Sequence, residues 1–292
     1  MLVIQGLSKT YGNGIQALKN ISLHIPHGIF GLLGPNGAGK SSLMRTLATL
    51  QTADQGSVKL DGMNLLQNPQ QARRNMGYLP QDFGVYPQVS AAELLDQLAV
   101  FKGFVNARER QAIVAEQLQL VNLYEQRDQK LGTFSGGMRQ RFGIAQALLG
   151  SPRLVIVDEP TAGLDPAERI RFQNLLATIG RDRVLLLSTH IVEDVAELCP
   201  KMAILNRGQI VQHGSPQTLM AHLQGRVWIS DINLTTTIDP RWTVITTRME
   251  RGVRCLRVLS DTQPSPDFQQ TDPDLNDVYF TALMDQPVAI AV

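Results

Sequence analysis

Apolar and polar residues alternate in the first part of the chain. The alternation at 21–25 has the period of a half-buried strand, and residues 58–60 run into Asp61-Gly62, a dipeptide that favours a tight turn. Between these segments an apolar run at 29–33 leads into a glycine-rich stretch, after which apolar residues recur at helical spacing over 43–50. The pattern predicts a strand, a glycine loop and a helix, in that order.

The middle of the chain, from about residue 89 to residue 149, has helical periodicity. Ser90-x-x-Glu93 and Asn106-x-x-Glu109 each have the form of a capping box, and apolar residues follow both at a spacing of three to four. Short apolar strands then return at 154–157 and 184–187, with helical segments after each. Apolar strands that alternate with helices predict a mainly parallel sheet covered on both faces.

The composition changes near Gly225. Three strands are predicted at 227–232, 242–247 and 253–259, followed by a stretch rich in proline, aspartate and glutamine and then a short helix. We therefore predict a main domain over residues 1–225 and a small α+β appendage over 226–292. The appendage carries basic residues that we expect on a solvated strand face: Arg248, Arg251, Arg254 and Arg257.

Composition narrows the function classes. Hydrophobic residues make up 43% of the 292 positions and charged residues 18%, which is typical of a folded globular protein. The formal net charge of +1 does not favour nucleic-acid binding, which needs a clustered basic face. Cys199 and Cys255 are too few for a disulfide framework or a zinc site, so both are expected to be reduced and structural. No signal peptide or membrane-spanning run is expected from the sequence.

The glycine loop has the form of a phosphate-binding motif. Gly34-Pro35-Asn36-Gly37-Ala38-Gly39-Lys40-Ser41 matches G-x-x-x-x-G-K-[ST], with Ser42 directly after it. Glycines let consecutive backbone N–H groups curl around phosphate oxygens, and the following helix points its positive end at the same anion. Lys40 is expected to reach the β- and γ-phosphates of a nucleotide, and the Ser41 hydroxyl to ligate Mg²⁺.

A matching acidic pair follows the strand at 154–157. The strand delivers Asp158 to the metal, because Mg²⁺ prefers oxygen ligands. Glu159 comes next, where a carboxylate can orient and deprotonate an attacking water. Together with the glycine loop, this pair predicts a P-loop nucleotidase.

A further segment narrows the class. Phe134-Ser135-Gly136-Gly137-Met138-Arg139-Gln140-Arg141, placed in the helical insertion between Lys40 and Asp158, resembles the signature motif of the ATP-binding-cassette (ABC) ATPases. Other motifs of that family are present in order. Gln81 resembles the Q-loop glutamine, Asp165 the D-loop aspartate and His190 the switch histidine, and Tyr11 resembles the aromatic residue that stacks on adenine. The resemblance covers about residues 1–225.

The resemblance implies a fold and a site shared by two subunits. The expected fold is a P-loop α/β core with a mainly parallel sheet, an antiparallel β subdomain and a helical subdomain inserted at about 84–150. The signature residues Ser135, Gly136 and Gly137 begin a helix, so they form a second anion site that would complete the γ-phosphate site of a second ATPase subunit, either an identical chain or a paralogue. His190 is expected at the γ-phosphate, and Gln81 at Mg²⁺ or the attacking water.

Two positions depart from the family pattern. Phe134 stands where the signature has leucine, which preserves apolar packing, and Met138 stands where it has glutamine. Resembling export-type cassettes often carry this Ser-Gly-Gly-Met variant, so it is interpreted as a subtype marker. The half-site is expected to be competent because Glu159, His190, Lys40 and Ser135 are all present.

The leading hypothesis is therefore the ATPase subunit of an exporter, bound to the cytoplasmic face of the membrane through a separate permease. An importer subunit is one alternative. A soluble ABC ATPase acting on ribosomes or DNA is another, although such proteins usually carry two cassettes or long insertions. The loop after Gln81, with Phe83 and Tyr86, is predicted to contribute to the permease-docking surface, or else to pack on its own helical subdomain.

Overall fold

Three β-sheets and the helices between them account for the described residues, 1–232, 238–250 and 252–284, in a computed structural model. The strands are β1 Leu2–Thr10, β2 Gln16–Ile25, β3 Gly28–Leu33, β4 Gln55–Leu60, β5 Met63–Asn64, β6 Met76–Leu79, β7 Leu154–Asp158, β8 Val184–Thr189, β9 Lys201–Asn206, β10 Gln209–Gly214, β11 Val227–Ile232, β12 Thr243–Glu250, β13 Val253–Leu259 and β14 Gln269–Gln270. The helices are α1 Lys40–Leu47, α2 Pro69–Arg74, α3 Ala91–Phe101, α4 Ala107–Leu120, α5 Gly136–Leu148, α6 Pro166–Ile179, α7 Val192–Leu198, α8 Pro216–Ala221 and α9 Leu275–Met284.

The central sheet has the strand order β10-β9-β3-β8-β7-β6, and all its neighbouring pairs are parallel except the β9–β10 edge pair. Strands β7 and β8 are buried along their whole length, as expected for a parallel sheet covered on both faces. Leu33 pairs with Thr189, and Asp158 pairs with Ser188. The segments that follow β3, β7 and β8 therefore meet at one edge of the sheet, and the predicted mainly parallel α/β core is confirmed.

Each face of this sheet packs on a different partner layer. One face packs on α1 and on the antiparallel sheet β2-β1-β4-β5, in a core that includes Ile4, Leu43 and Ile156. The other face packs on α3 to α7 and α9. The predicted turn at Asp61-Gly62 is present, with φ of 47° and 88°. The antiparallel subdomain expected from the resemblance is therefore present.

Helices α3, α4 and α5 form the expected helical insertion. Ser90 and Glu93 form the predicted capping box of α3, and the Asn106 side chain caps α4. Helix α5 packs so closely on β6 that a Cβ at Gly77 would collide with the Ala147 carbonyl oxygen. Close backbone approach of this kind requires glycine and holds the insertion firmly against the core.

The C-terminal sheet has the order β12-β13-β11-β14, so the three predicted strands are confirmed and the short β14 is an addition. Helix α9 packs between this sheet and the core, against α7, α8, β9 and β10. The division of the chain at residue 225 stays a prediction.

The expectation of a solvated arginine face is wrong for Arg257. This residue is 3% exposed and makes a bidentate pair with the buried Asp277 on α9. Arg248 donates to Asp274, the residue directly before α9, at 2.8 Å. Arg251 lies outside the described residues. The outcome differs from the expectation because α9 covers the strand face that carries Arg257, and Asp277 on this helix receives the Arg257 guanidinium group.

Both cysteines are buried thiols outside any disulfide, as predicted. Burial raises the pKa of the Cys199 thiol to about 12, which makes it an unreactive packing residue. Among the described residues, no helix is both long enough and apolar enough to cross a membrane.

Candidate functional site

The glycine loop between β3 and α1 is shaped by close backbone contacts. A Cβ at Gly34 would collide with the Leu205 carbonyl oxygen, and one at Gly39 would lie 2.5 Å from the Ala17 carbonyl oxygen. Gly39 has a φ of 108° and is the N-cap of α1, where no side chain caps the helix and no acidic residue occupies the first turn. The first-turn N–H groups of α1 are therefore available to an anion, which fits the predicted phosphate site.

The Glu159 carboxylate brings together side chains from three other segments. Its Oε1 lies 3.4 Å from Lys40 Nζ, and its Oε2 accepts from Gln81 Nε2 at 3.3 Å and lies 3.1 Å from His190 Nδ1. Lys40 Nζ also donates to the Gly34 carbonyl oxygen at 2.7 Å. Glu159, Lys40, Gln81 and His190, which were predicted separately from four motifs, thus converge at the carboxyl edge of the sheet.

Asp158 is buried beside this group and accepts a hydrogen bond from the Ser188 hydroxyl. Burial raises its pKa, as does the negative charge of Glu159, while Ser188, Lys40 and Ser41 act in the opposite direction. The carboxylate of Asp158 and the hydroxyl of Ser41 are the oxygen donors that Mg²⁺ prefers, so these residues fit a magnesium ion. Sequence reasoning missed Ser188, although its position in the run Ser188-Thr189-His190 after an apolar strand was a usable signal.

The backbone of Glu159 is in the left-handed region, with a φ of 48°. This conformation is uncommon for a residue with a long side chain, and such strain persists only where the surroundings hold it. Here the Glu159 N–H donates to the Ser188 carbonyl oxygen at 3.0 Å. The left-handed turn directs the carboxylate away from the strand and toward Lys40.

These residues border a cavity of about 860 Å³. The predicted residues at its wall are Tyr11, Pro35, Asn36, Gly37, Gly39, Lys40, Ser41, Ser42, Gln81, Glu159 and His190. Residues that were not predicted also border it: Ile15, Gln16, Ala17, Lys19, Ala162, Arg207 and Gly208. The Tyr11 hydroxyl is hydrogen-bonded to Ser42 Oγ at 2.9 Å and donates to Gln51 Oε1 at 3.1 Å, so Tyr11 is held at the cavity wall beside the phosphate loop. The volume suits a ligand of nucleotide size.

The predicted signature and D-loop residues lie outside this cavity. Ser135 is exposed and caps α5, with Oγ accepting from Met138 N at 3.2 Å, and Gly136 beside it is also exposed. Asp165 caps α6 by accepting from Glu168 N at 2.9 Å. Phe134 is buried with its ring edge-to-face on Phe142, so its substitution for leucine does keep the apolar packing.

A glycine loop, a buried acidic pair and a histidine at one sheet edge define a P-loop nucleotide-binding site. Comparison with known proteins identifies the class. The ABC transporter family profile matches residues 18–162. The uncharacterized ABC transporter ATP-binding protein YxlF of Bacillus subtilis is 36% identical over 229 residues, which span 78% of this chain and 75% of YxlF. The Nod factor export ATP-binding protein I of Burkholderia thailandensis is 34% identical over 218 residues, 74% of this chain and 71% of that protein.

A solved structure supports the same assignment. The dimeric ATP-binding cassette MJ0796, in a post-hydrolysis state bound to ADP and Pi, superposes with a TM-score of 0.67 at 26% identity, covering 74% of this chain and 98% of that one. The chain belongs to the ABC transporter ATP-binding proteins. It is an ATPase and the ATP-binding subunit of a transporter, a kind of subunit that dimerises and works with a transmembrane permease.

Proposed function

We propose that this subunit powers export through a separate permease at the cytoplasmic face of the membrane, by closing a head-to-tail dimer on ATP and opening it after hydrolysis. The observation that carries the dimer is the position of Ser135 and Gly136. They lie exposed at the amino end of α5 and outside the cavity that contains Lys40. An anion site that is not used within its own chain suits the γ-phosphate of ATP held by a second subunit. Similarity to Nod factor export proteins supports the direction.

The residues in and around the site are given roles that follow from their positions and from the family resemblance. Lys40 and the loop from Gly34 to Ser42 hold the phosphates, and Tyr11 stacks on the adenine. Ser41 and Asp158, with Gln81, would hold Mg²⁺, which would neutralise charge on the transferred phosphoryl group. Glu159 orients and deprotonates the attacking water, and His190 fixes the Glu159 carboxylate while it contacts the γ-phosphate. The D-loop aspartate, Asp165, faces the second subunit.

The role of Glu159 is tested by Glu159→Gln. This change keeps the size of the side chain but removes the base, so turnover is expected to fall by about 10²–10⁴-fold while ATP binding is retained. The variant is also expected to accumulate as a dimer with two ATP. Glu193→Gln, an exposed carboxylate on α7, is the matched control. Near-normal hydrolysis by Glu159→Gln would remove Glu159 from the catalytic role.

The shared site is tested by Ser135→Arg. The bulky cation is expected to block ATP-driven dimerisation, measured as mass in solution, while each monomer still binds ATP. Ser215→Arg is the control, because Ser215 caps α8 as Ser135 caps α5, so both variants lose one helix cap. A Ser135→Arg protein that still dimerises on ATP addition would leave Ser135 as a helix cap only.

Of the two alternatives for the loop after Gln81, packing on its own helical subdomain fits Phe83. This ring is half-buried and packs on its own subdomain, since a Cβ at Gly143 would lie 2.7 Å from Phe83 Cζ. Tyr86, in contrast, is 68% exposed. The exposed apolar residue best placed between core and insertion is Phe101, which is 86% exposed and borders a groove with Arg73, Tyr78 and Leu98.

We therefore propose that a cytoplasmic segment of the permease occupies the groove between α2 and α3. Tyr78 on β6 pairs with Ile156 on β7, two residues before Asp158, so this groove lies close to the proposed metal ligand. Phe101→Ser is expected to lose the permease in co-purification while ATP binding is retained. Ile170→Ser, an exposed apolar residue on α6, is the control. If Phe101→Ser assembles and transports normally, the docking surface lies elsewhere, and Tyr86→Ser tests the loop after Gln81.

A further inference from the structure

A buried carboxylate lies close to the nucleotide site without bordering the cavity. Asp194, on α7, is 0% exposed. Its Oδ2 accepts from Thr161 Oγ1 at 2.5 Å, and its Oδ1 accepts from Arg169 Nε at 2.9 Å and from Gln173 Nε2 at 3.0 Å. Three donors from outside α7 therefore converge on one side chain, and the Arg169 guanidinium offsets its charge.

The positions of these residues along the chain connect Asp194 to the site. Thr161 follows Glu159 by two residues on one segment, and Asp194 follows His190 by four residues on another. The two segments are joined by two side-chain pairs, Glu159 with His190 at 3.1 Å and Thr161 with Asp194. The second pair therefore limits how far the first can separate.

The link from Thr161 to Glu159 is stiff. Pro160 stands between them, and its ring restricts the backbone torsion there. Glu159 itself has a φ of 48°, a conformation that needs external restraint. The Ser188 carbonyl oxygen restrains it through its N–H, and the Thr161 hydroxyl anchors the chain on its other side. Release of Thr161 would let Glu159 relax toward an ordinary conformation and move its carboxylate.

We propose that Asp194 and Thr161 are positioning residues for ATP hydrolysis: through Thr161, Asp194 holds the Glu159 carboxylate in contact with His190. Through Arg169 and Gln173 it also ties this pair to α6, the helix that Asp165 caps. The proposal rests on the proposed roles of Glu159 and His190, and it adds a restraint that neither the cavity nor the sequence motifs indicate.

Thr161→Val is the informative change, because it keeps the size of the side chain and leaves Asp194 paired with Arg169. In the full-length protein we expect kcat to fall about 10- to 100-fold, since a displacement of about 1 Å at a catalytic group can have this effect, while the KM for ATP stays close to that of the wild type. Thr161→Ser keeps the hydroxyl and is expected to retain most of kcat. Thr178→Val, on the exposed face of α6, loses only a bond to the Asn174 carbonyl oxygen and is the matched control.

A double-mutant cycle separates positioning from a general loss of stability. Single-turnover rates with labelled ATP and excess protein are measured for Thr161→Val, His190→Ala and the double variant. If Thr161 acts through the Glu159–His190 contact, Thr161→Val lowers the rate much less in the His190→Ala background than in the wild type. An undiminished effect in that background would overturn the proposal, as would a loss that follows a lowered Tm and is not rescued by Thr161→Ser.

The same series distinguishes this proposal from the proposed function. If Glu159→Gln and His190→Ala keep wild-type turnover, the assigned catalytic roles are wrong. If both lose turnover and Thr161→Val keeps it, only the positioning role of Asp194 and Thr161 is refuted.

Discussion

The buried pair between Arg257 and Asp277 makes a quantitative prediction about the C-terminal segment. Arg257 Nε donates to Asp277 Oδ1 at 2.8 Å and its Nη2 to Oδ2 at 2.5 Å, and a further bond runs to the Asp272 carbonyl oxygen at 3.1 Å. Asp277 is 0% exposed and lies in the first turn of α9, where it also accepts from Asp274 N at 2.9 Å. The pair therefore fixes α9 to β13 beneath the C-terminal sheet.

Arg257→Met removes the cation of this pair and leaves the Asp277 carboxylate buried without the guanidinium group that offsets its charge. Breaking a buried pair in this way costs about 3–5 kcal/mol. In domains of roughly 150–250 residues, a loss of 1 kcal/mol lowers Tm by roughly 2–4 °C. The Tm of this variant is therefore expected to fall by roughly 6–20 °C. Helix α9 packs on α7, and loss of the ion pair should loosen this packing. The C-terminal segment should then become accessible to protease before the core unfolds.

The chain supplies a matched control in Arg241→Met. Arg241 pairs with Asp239 in the same bidentate manner, with Nε to Oδ1 at 3.0 Å and Nη2 to Oδ2 at 2.6 Å, but its side chain is 86% exposed. Exposed pairs of this kind contribute little, so no measurable change in Tm is expected. Thermal unfolding by circular dichroism, with limited proteolysis in parallel, measures both variants.

Two outcomes would refute this reasoning. One is an Arg257→Met protein whose Tm matches that of Arg241→Met. The other concerns the variant that carries both Arg257→Met and Asp277→Leu, which removes the orphaned charge and is expected to recover much of the lost Tm. If the double variant is as unstable as Arg257→Met alone, the loss came from packing of the arginine stem.

Three further predictions concern the core and the site. Burial raises the pKa of Asp158, so the folded state disfavours the charged carboxylate and loses stability as pH rises through that pKa. Asp158→Asn should therefore raise Tm by a few degrees at pH 8 and by less at acid pH, since 1 kcal/mol corresponds to about 2–4 °C. The same change should abolish Mg²⁺-dependent turnover. Gly77→Ala should lower stability by about 1–3 kcal/mol in urea unfolding, because its Cβ meets the Ala147 carbonyl, whereas Gly84→Ala, with open space around it, should not. Tyr11→Ala should weaken ATP binding by about 1–3 kcal/mol in calorimetry and Tyr11→Phe by much less; equal losses would show that the hydroxyl rather than the ring matters.

Local patterns in the sequence were sufficient for much of the fold. The alternation at 21–25, the capping box at Ser90 and Glu93 and the strands 227–232 and 253–259 all appear in the structure where they were predicted. Such features depend on residues that are neighbours along the chain, so periodicity and capping chemistry reveal them. The phosphate loop belongs to the same group, because its glycines and Lys40 act within one turn.

Only the tertiary structure decided which distant side chains meet. The bonds of Ser188 to Asp158 and Thr161 to Asp194, and the pair of Arg257 with Asp277, join segments that no local pattern connects. Phe83 turned inward because Gly143 leaves space for its ring. A charged or aromatic side chain is buried or exposed according to the partner that packs over it, and that partner comes from elsewhere in the chain. The sequence alone therefore predicted the phosphate-binding elements, whereas the restraints that hold Glu159 in place depend on how those elements pack.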